Sequence, residues 1–193
     1  MVSSARERTP LTAADYLAIE RQAQYKSEFY NGEMFAMSGA SRRHNLIVLN
    51  IGGELRAQLR QSPCEVYVSD MRVKISHTGA YTYPDVVVAC AEPRFEDAVV
   101  DTLLNPTVLI EVLSPSTADY DRGGKFERYR TLPSLQAYLL VAQERCHVVH
   151  YRRQSDHTWL LAETNDPQDS ITIPAIGCTL LLSEIYARVQ FES

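Results

Sequence analysis

The sequence predicts a single α/β domain, and three observations carry that prediction. Short apolar runs of strand length alternate with stretches of helical period. The 193 residues are 45% hydrophobic and 22% charged, enough for one real core. No internal repeat, low-complexity tract or linker divides the chain. The expected organisation is a helix and hairpin over 12–37, a core over about 41–142, and strands with a closing helix over 147–189.

Each element has a local cause. Thr12-Ala13-Ala14-Asp15 resembles a capping box, opening a helix to about Gln24 with Tyr16 and Leu17 available to the core. Asn31-Gly32 marks a hairpin turn between Ser27–Tyr30 and Glu33–Met37. A long helix is predicted over Ser41–Gln61, capped by Ser41, with Leu46, Leu49, Leu55 and Leu59 as its apolar positions and Pro63 as its stop. Glu65–Ile75 alternates as one strand, and Tyr83–Cys90, Thr107–Leu113 and Gln136–Ala142 read as buried strands. Arg122–Leu132 is a short helix stopped by Pro133. From His147 to Leu182 strands are separated by turns at Gln154-Ser155-Asp156 and Asn165-Asp166-Pro167, and a last helix is predicted near Ser183–Val189.

Two acids interrupt these apolar strands: Asp85 in Tyr83-Pro84-Asp85-Val86-Val87-Val88, and Glu111 in Val108-Leu109-Ile110-Glu111-Val112-Leu113. A carboxylate in a strand covered on both faces loses most of its hydration unless a cation compensates. Adjacent strands lie about 4.8 Å apart, so the two acids can reach one divalent ion. Lys125, on the following helix, is placed to serve a phosphate or an attacking water. The competing structural account makes Asp85 a turn acid after proline and Glu111 a buried ion-pair partner of Lys125 or an arginine.

Other features narrow the function. The formal net charge of −5 disfavours a protein that grips long stretches of nucleic acid, so contact should be local, transient, metal-assisted or with a smaller substrate. No apolar run approaches the roughly 18 residues that span a membrane, and Met1–Pro10 lacks the apolar stretch of a signal peptide, so a cytoplasmic location is expected. Cys64, Cys90, Cys146 and Cys178 are scattered singly without CxxC spacing, which predicts buried free thiols, not zinc or disulfides. Ser114, Ser116 and Thr117 lack a GxSxG elbow and read as helix caps; Gly123-Gly124-Lys125 lacks the rest of a P-loop; the five histidines contain no HExxH. Asp70 reads as a strand-edge acid, Tyr129 as packing, and the pairs Arg42-Arg43 and Arg152-Arg153 as solvated surface. Paired-carboxylate glycoside hydrolysis leaves Lys125 without a role, and the chain has one tryptophan to stack on sugar.

The ordered set of motifs resembles a known family. Helix, strand, strand, strand, helix, strand, with PD entering one strand and an acid in the next, is similar to the PD-(D/E)XK phosphodiesterase core of restriction-endonuclease-like proteins. More narrowly, Tyr83–Val88, PTVLIEVLSPST (106–117), DRGGKFERY (121–129), LPSLQAYLLV (132–141), SEFYNG (27–32) and His44-Asn45 resemble the bacterial Uma-two family, grouped with endonucleases. The resemblance runs over nearly the whole chain. It departs from the superfamily pattern two positions after Glu111, where Leu113 stands in place of the pattern's lysine, and implies that the lysine has moved to Lys125.

The resemblance implies a central mixed sheet flanked by helices, with extra C-terminal strands. It implies that Asp85 and Glu111 ligate Mg²⁺ or Mn²⁺, with the Val112 carbonyl as a third ligand and Lys125 beside the scissile phosphate. Glu28 and His44 are accessory candidates for a metal-coordinated water or a phosphate. The implied activity is metal-dependent hydrolysis of nucleic acid, with DNA expected, by a homodimer presenting one site to each strand. The rival is a non-catalytic interaction or scaffold module that kept the fold and uses the acids as an ion-pair network.

Overall fold

The computed structural model describes residues 9–115 and 117–191; Met1–Arg8, whose lack of an apolar stretch is noted above, and Ser116, one of the candidate caps, lie outside them. The chain runs α1 (Ala13–Glu20), β1 (Ser27–Tyr30), β2 (Glu33–Ala36), α2 (Arg42–Gln58), β3 (Glu65–Val68), β4 (Arg72–Ile75), β5 (Ala80–Thr82), β6 (Val86–Ala89), β7 (Thr102–Leu103) and β8 (Val108–Leu113). There follow α3 (Ala118–Tyr120), a π-helical turn (Asp121–Lys125), α4 (Phe126–Tyr129), β9 (Ala137–Ala142), β10 (Val148–Arg153), β11 (Trp159–Thr164), β12 (Ser170–Ile173), a 3₁₀ turn (Pro174–Ile176), β13 (Cys178–Leu181) and α5 (Leu182–Ile185).

A six-stranded mixed sheet, order β11-β10-β9-β8-β6-β3, forms the centre; β8 and β9 are parallel and the other neighbours antiparallel. A five-stranded sheet, order β2-β1-β5-β4-β7, lies beside it, and β12 pairs with β13. Tyr83-Pro84-Asp85 carries the chain from β5 in one sheet to β6 in the other. Alternation along β8 divides its side chains between two cores. Val108, Ile110 and Val112 pack with Ile47, Ile51 and Leu55 of α2, while Leu109 and Leu113 pack with Tyr129, Leu132 and Tyr138. A smaller cluster joins Tyr16 and Leu17 of α1 to Phe29 and Tyr81.

Local chemistry sets these elements. Thr12 and Asp15 close a reciprocal capping box on α1. In the β1–β2 hairpin Asn31 and Gly32 have φ of 51° and 79°, and a Cβ on Gly32 would lie 2.4 Å from the Pro10 Cβ, so glycine alone fits there. Ser41 caps α2 by accepting from the His44 N–H. In mid-helix, a Cβ on Gly52 would stand 2.8 Å from Val68 Cγ1, so the glycine lets β3 approach.

Several expectations are corrected. The buried row of α2 is Ile47, Val48, Ile51 and Leu55, with Leu59 at its end, whereas Leu49 is 69% exposed; the leucines at 46 and 49 fall off the stripe that the β-branched residues occupy. The predicted single strand Glu65–Ile75 is two strands in different sheets, because Ser69 turns the chain at φ 60° and Lys26 bonds to the Ser69 carbonyl and Asp70. Strand β6 begins only after Asp85, and Asp85 therefore stands at its entry. The helix near Lys125 starts earlier than predicted, at Ala118, and ends at Tyr129; the last helix is shorter, Leu182–Ile185. Thr117 stands at the head of α3 without a capping side-chain bond, its hydroxyl 2.9 Å from that of Ser114.

The free-thiol expectation fails for two cysteines: Cys64 and Cys90 form a disulfide, while Cys146 and Cys178 are free. Glu65 pairs with Ala89 across the β3–β6 ladder, so Cys64 and Cys90 are the next rung, with Cα atoms 4.0 Å apart. Spacing along the chain carries no trace of that register. Among the described residues, no helix is long and apolar enough to cross a membrane.

Candidate functional site

The β6–β8 register brings the two strand acids together. Val86 pairs with Ile110, so one further step sets Asp85 against Glu111. By alternation Glu111 belongs to the face that carries Leu109 and Leu113, and Asp85, at the entry of β6, lies near enough to raise the Glu111 carboxyl. Asp85 Oδ2 accepts the Val112 N–H at 2.7 Å and lies 3.2 Å from His44 Nε2. Its carboxylate is thus tied to the residue after Glu111 and to the first turn of α2.

Glu111 is 4% exposed. Its Oε1 accepts from Lys125 Nζ at 3.0 Å and from the Tyr129 hydroxyl at 2.9 Å, and that hydroxyl also lies 3.0 Å from Thr82 Oγ1. Lys125, far from a solvated first-turn lysine, is 6% exposed and meets Glu28 Oε1 at 3.0 Å and Asp121 Oδ1 at 3.3 Å as well. The π turn Asp121–Lys125 and the following turn of α4 bring Asp121, Lys125 and Tyr129, spaced by four, to one side of the helix. Glu28, on β1, also receives the Tyr83 N–H at 3.4 Å, which links the hairpin to the segment entering Asp85.

The structure therefore brings Glu111, Lys125 and Glu28 into direct contact and sets Asp85 and His44 beside them through Val112. Asp121 and Thr82 are members that the sequence reading missed. Tyr129 packs in the core, as expected, and also bonds to Glu111. The four-residue spacing of Asp121 before Lys125 is the one signal that pointed to it. Asp70 is an exposed edge acid paired with Lys26. Arg43 pairs with Glu144, and Arg153 donates to the carbonyls of Arg130 and Leu132 over the Trp159 ring, so neither is simple solvated surface.

The cluster carries more acid than base. Burial, with Asp121, Asp85 and Glu28 nearby, pushes the Glu111 carboxyl well above the usual carboxylate range despite Lys125. Burial alone would lower Lys125, but Glu111, Glu28 and Asp121 outweigh it and hold the ammonium well above its ordinary value. Burial next to Glu111 and Glu28 likewise raises the Tyr129 hydroxyl, which remains a donor. Among the described residues, Glu111 Oε2 and Asp85 Oδ1 receive no hydrogen bond. Nor do three or more His, Cys, Asp or Glu side chains gather at metal-ligand spacing there. A hard cation that takes few carboxylates and keeps several waters suits such a donor set, and a thiolate or imidazole cage for zinc does not.

Comparison with known proteins agrees with this architecture. A crystal structure described as "a putative nuclease belonging to DUF820" from Anabaena variabilis superposes with a TM-score of 0.77 over 94% of this chain and 100% of that one, at 16% identity, which shows a shared fold. Two uncharacterized proteins of Synechocystis sp. (strain PCC 6803) are similar in sequence. One, sll1609, is 44% identical over 153 residues, 79% of this chain and 86% of its own length. The other, slr1290, is 34% identical over 181 residues, 94% of each chain. The Uma2 family model, described as "Putative restriction endonuclease", matches residues 13–183. With its mixed sheet, its acids at the β6 entry and in β8, and a match over nearly its whole length, the chain belongs to the Uma2 family.

Proposed function

We propose that this protein is a Mg²⁺- or Mn²⁺-dependent endonuclease that hydrolyses phosphodiester bonds of DNA. The observation that supports this reading most is the acid excess around Lys125: Asp85 and Glu111 occupy facing positions, each with a carboxylate oxygen that no donor among the described residues takes. Asp85, Glu111 and the Val112 carbonyl would hold the ion. A strand residue's N–H and C=O point to the same neighbour, and the Val112 N–H points to Asp85. The bound ion supplies a water of lowered pKa and charge relief on the phosphoryl group.

The remaining roles belong to the chain's own residues. Lys125 orients the attacking water or neutralises a phosphoryl oxygen, with Glu28 and Asp121 setting its position. His44 holds one oxygen of Asp85, and Tyr129 one oxygen of Glu111, which would leave the other oxygens to an ion. The small net negative charge fits local, metal-assisted contact with DNA, and a homodimer would offer one site to each strand of a duplex. The scaffold reading has its own supporting observation, since Lys125 bridging three carboxylates is what a metal-free ion-pair core contains. Incubating supercoiled plasmid and single-stranded oligonucleotides with the protein in Mg²⁺ or Mn²⁺ separates the two. Nicking that EDTA abolishes and that Glu111→Gln lacks is expected, and no cleavage of either substrate favours the scaffold.

A further inference from the structure

We infer that Tyr120, Arg128 and Tyr30 form a stacking strip at the rim of the acid cluster that receives an unpaired segment of DNA, so that the site takes single-stranded DNA in preference to duplex. The inference rests on the nuclease reading and deepens it by naming the form of its substrate.

The strip is built from three elements around the site, α3, α4 and β1. Tyr120 ends α3, one residue before Asp121, and is 38% exposed. Arg128, on α4, donates from Nη1 to the Tyr120 hydroxyl at 2.8 Å. Its guanidinium lies 3.7 Å from the centre of the Tyr30 ring and 5.2 Å from that of Tyr120. Tyr30 stands two residues after Glu28 on β1, and Lys125 Nζ is 5.7 Å from the Tyr120 ring centre while bonded to Glu28 and Glu111. One side chain therefore separates the strip from the acids. A Cβ on Gly124 would come within 3.2 Å of the Tyr120 ring, so the glycine lets the ring lie against the helix.

This is the chemistry of single-strand recognition. An exposed aromatic ring offers a π-face to an unstacked base, and a guanidinium beside it takes the adjoining phosphate. Bases inside a duplex present edges and no faces, so the strip has nothing to stack on there. Duplex binding relies instead on many phosphate contacts, which a chain of net charge −5 is poorly supplied to make.

Fluorescence anisotropy of the full chain in millimolar Ca²⁺ tests the inference without relying on turnover. The probes are an oligothymidylate of about 15 nucleotides, an oligouridylate of that length and a duplex of that length. The oligothymidylate should bind about tenfold or more tightly than the duplex. Tyr120→Ala and Tyr120→Leu should each lose about tenfold for the single strand and little for the duplex, while Tyr120→Phe keeps the binding. Tyr25→Ala, at a 78% exposed tyrosine elsewhere, should bind as wild type does. Equal affinity for oligothymidylate and duplex, tighter binding of oligouridylate, or wild-type affinity in both Tyr120→Ala and Tyr120→Leu would overturn it. Cleavage is scored separately: nicking of duplex with no strand preference overturns this inference and leaves the nuclease reading, and tight single-strand binding without cleavage of any substrate does the reverse.

Discussion

Lys125 Nζ stands 3.0 Å from Glu111 Oε1, a contact between a helix and the centre of a buried strand fourteen residues earlier. That pairing brings a lysine to the strand acid from a different element. Leu113, the position at which the pattern places a lysine, shares the face of Glu111 and is 4% exposed. Lys125→Ala should therefore lower DNA cleavage about 10²–10³-fold. It also leaves buried carboxylates without their cation, which costs about 3–5 kcal/mol. Leu113→Lys in the Lys125→Ala background should recover part of both losses, as read by plasmid nicking and urea unfolding. Wild-type cleavage by Lys125→Ala would remove the lysine from the mechanism.

Divalent ions should stabilise the fold by relieving the acid excess. At a concentration a hundred times the dissociation constant the gain is about 2.7 kcal/mol, or roughly 5–10 °C in melting temperature for a chain of this size. Asp85→Asn should keep most of the metal-free stability, because the amide oxygen can still accept the Val112 N–H, and should lose the Mn²⁺-induced rise. Differential scanning fluorimetry with and without Mn²⁺ reads both effects.

Glu111 gives a pH dependence of defined sign. Its folded pKa is raised above the ordinary value of 4.5, so the folded state holds the proton more tightly than the unfolded chain does. The associated stability is present below the ordinary value and is lost as pH rises through the raised one. Metal-free protein should thus weaken over that window, and Glu111→Gln should flatten the decline. Urea midpoints measured from the ordinary carboxylate range upward in pH read it.

The disulfide is a further check on the fold. Alkylation of unfolded, unreduced protein should find two free thiols, Cys146 and Cys178, and four after reduction. Cys64→Ser, or reduction, should cost about 2–4 kcal/mol of stability. Four free thiols without reductant would remove the β3–β6 crosslink.

Much of this arrangement was legible in the sequence, for identifiable reasons. Apolar runs broken by single acids revealed Asp85 and Glu111, because a buried strand tolerates a carboxylate only with compensation. The capping box at Thr12 and the Asn31-Gly32 turn are local signals, and the structure keeps both. What escaped depends on contacts far apart in the chain. Strand register decides that Cys64 meets Cys90, and a bend at Ser69 decides that β3 and β4 join different sheets. Asp121 and Tyr129 belong to the site only because a helix lands on Glu111, and alternation along a strand is silent about which helix covers it.

The central claim is that Asp85 and Glu111 hold one divalent ion, and crystals soaked in Mn²⁺ test it most directly by anomalous scattering. The account predicts a single strong peak within ligand distance of both carboxylates and the Val112 carbonyl, at about 2.0–2.3 Å, with Lys125 retained beside Glu111. No peak at that place, with Lys125 still bridging Glu28, Glu111 and Asp121, would contradict it.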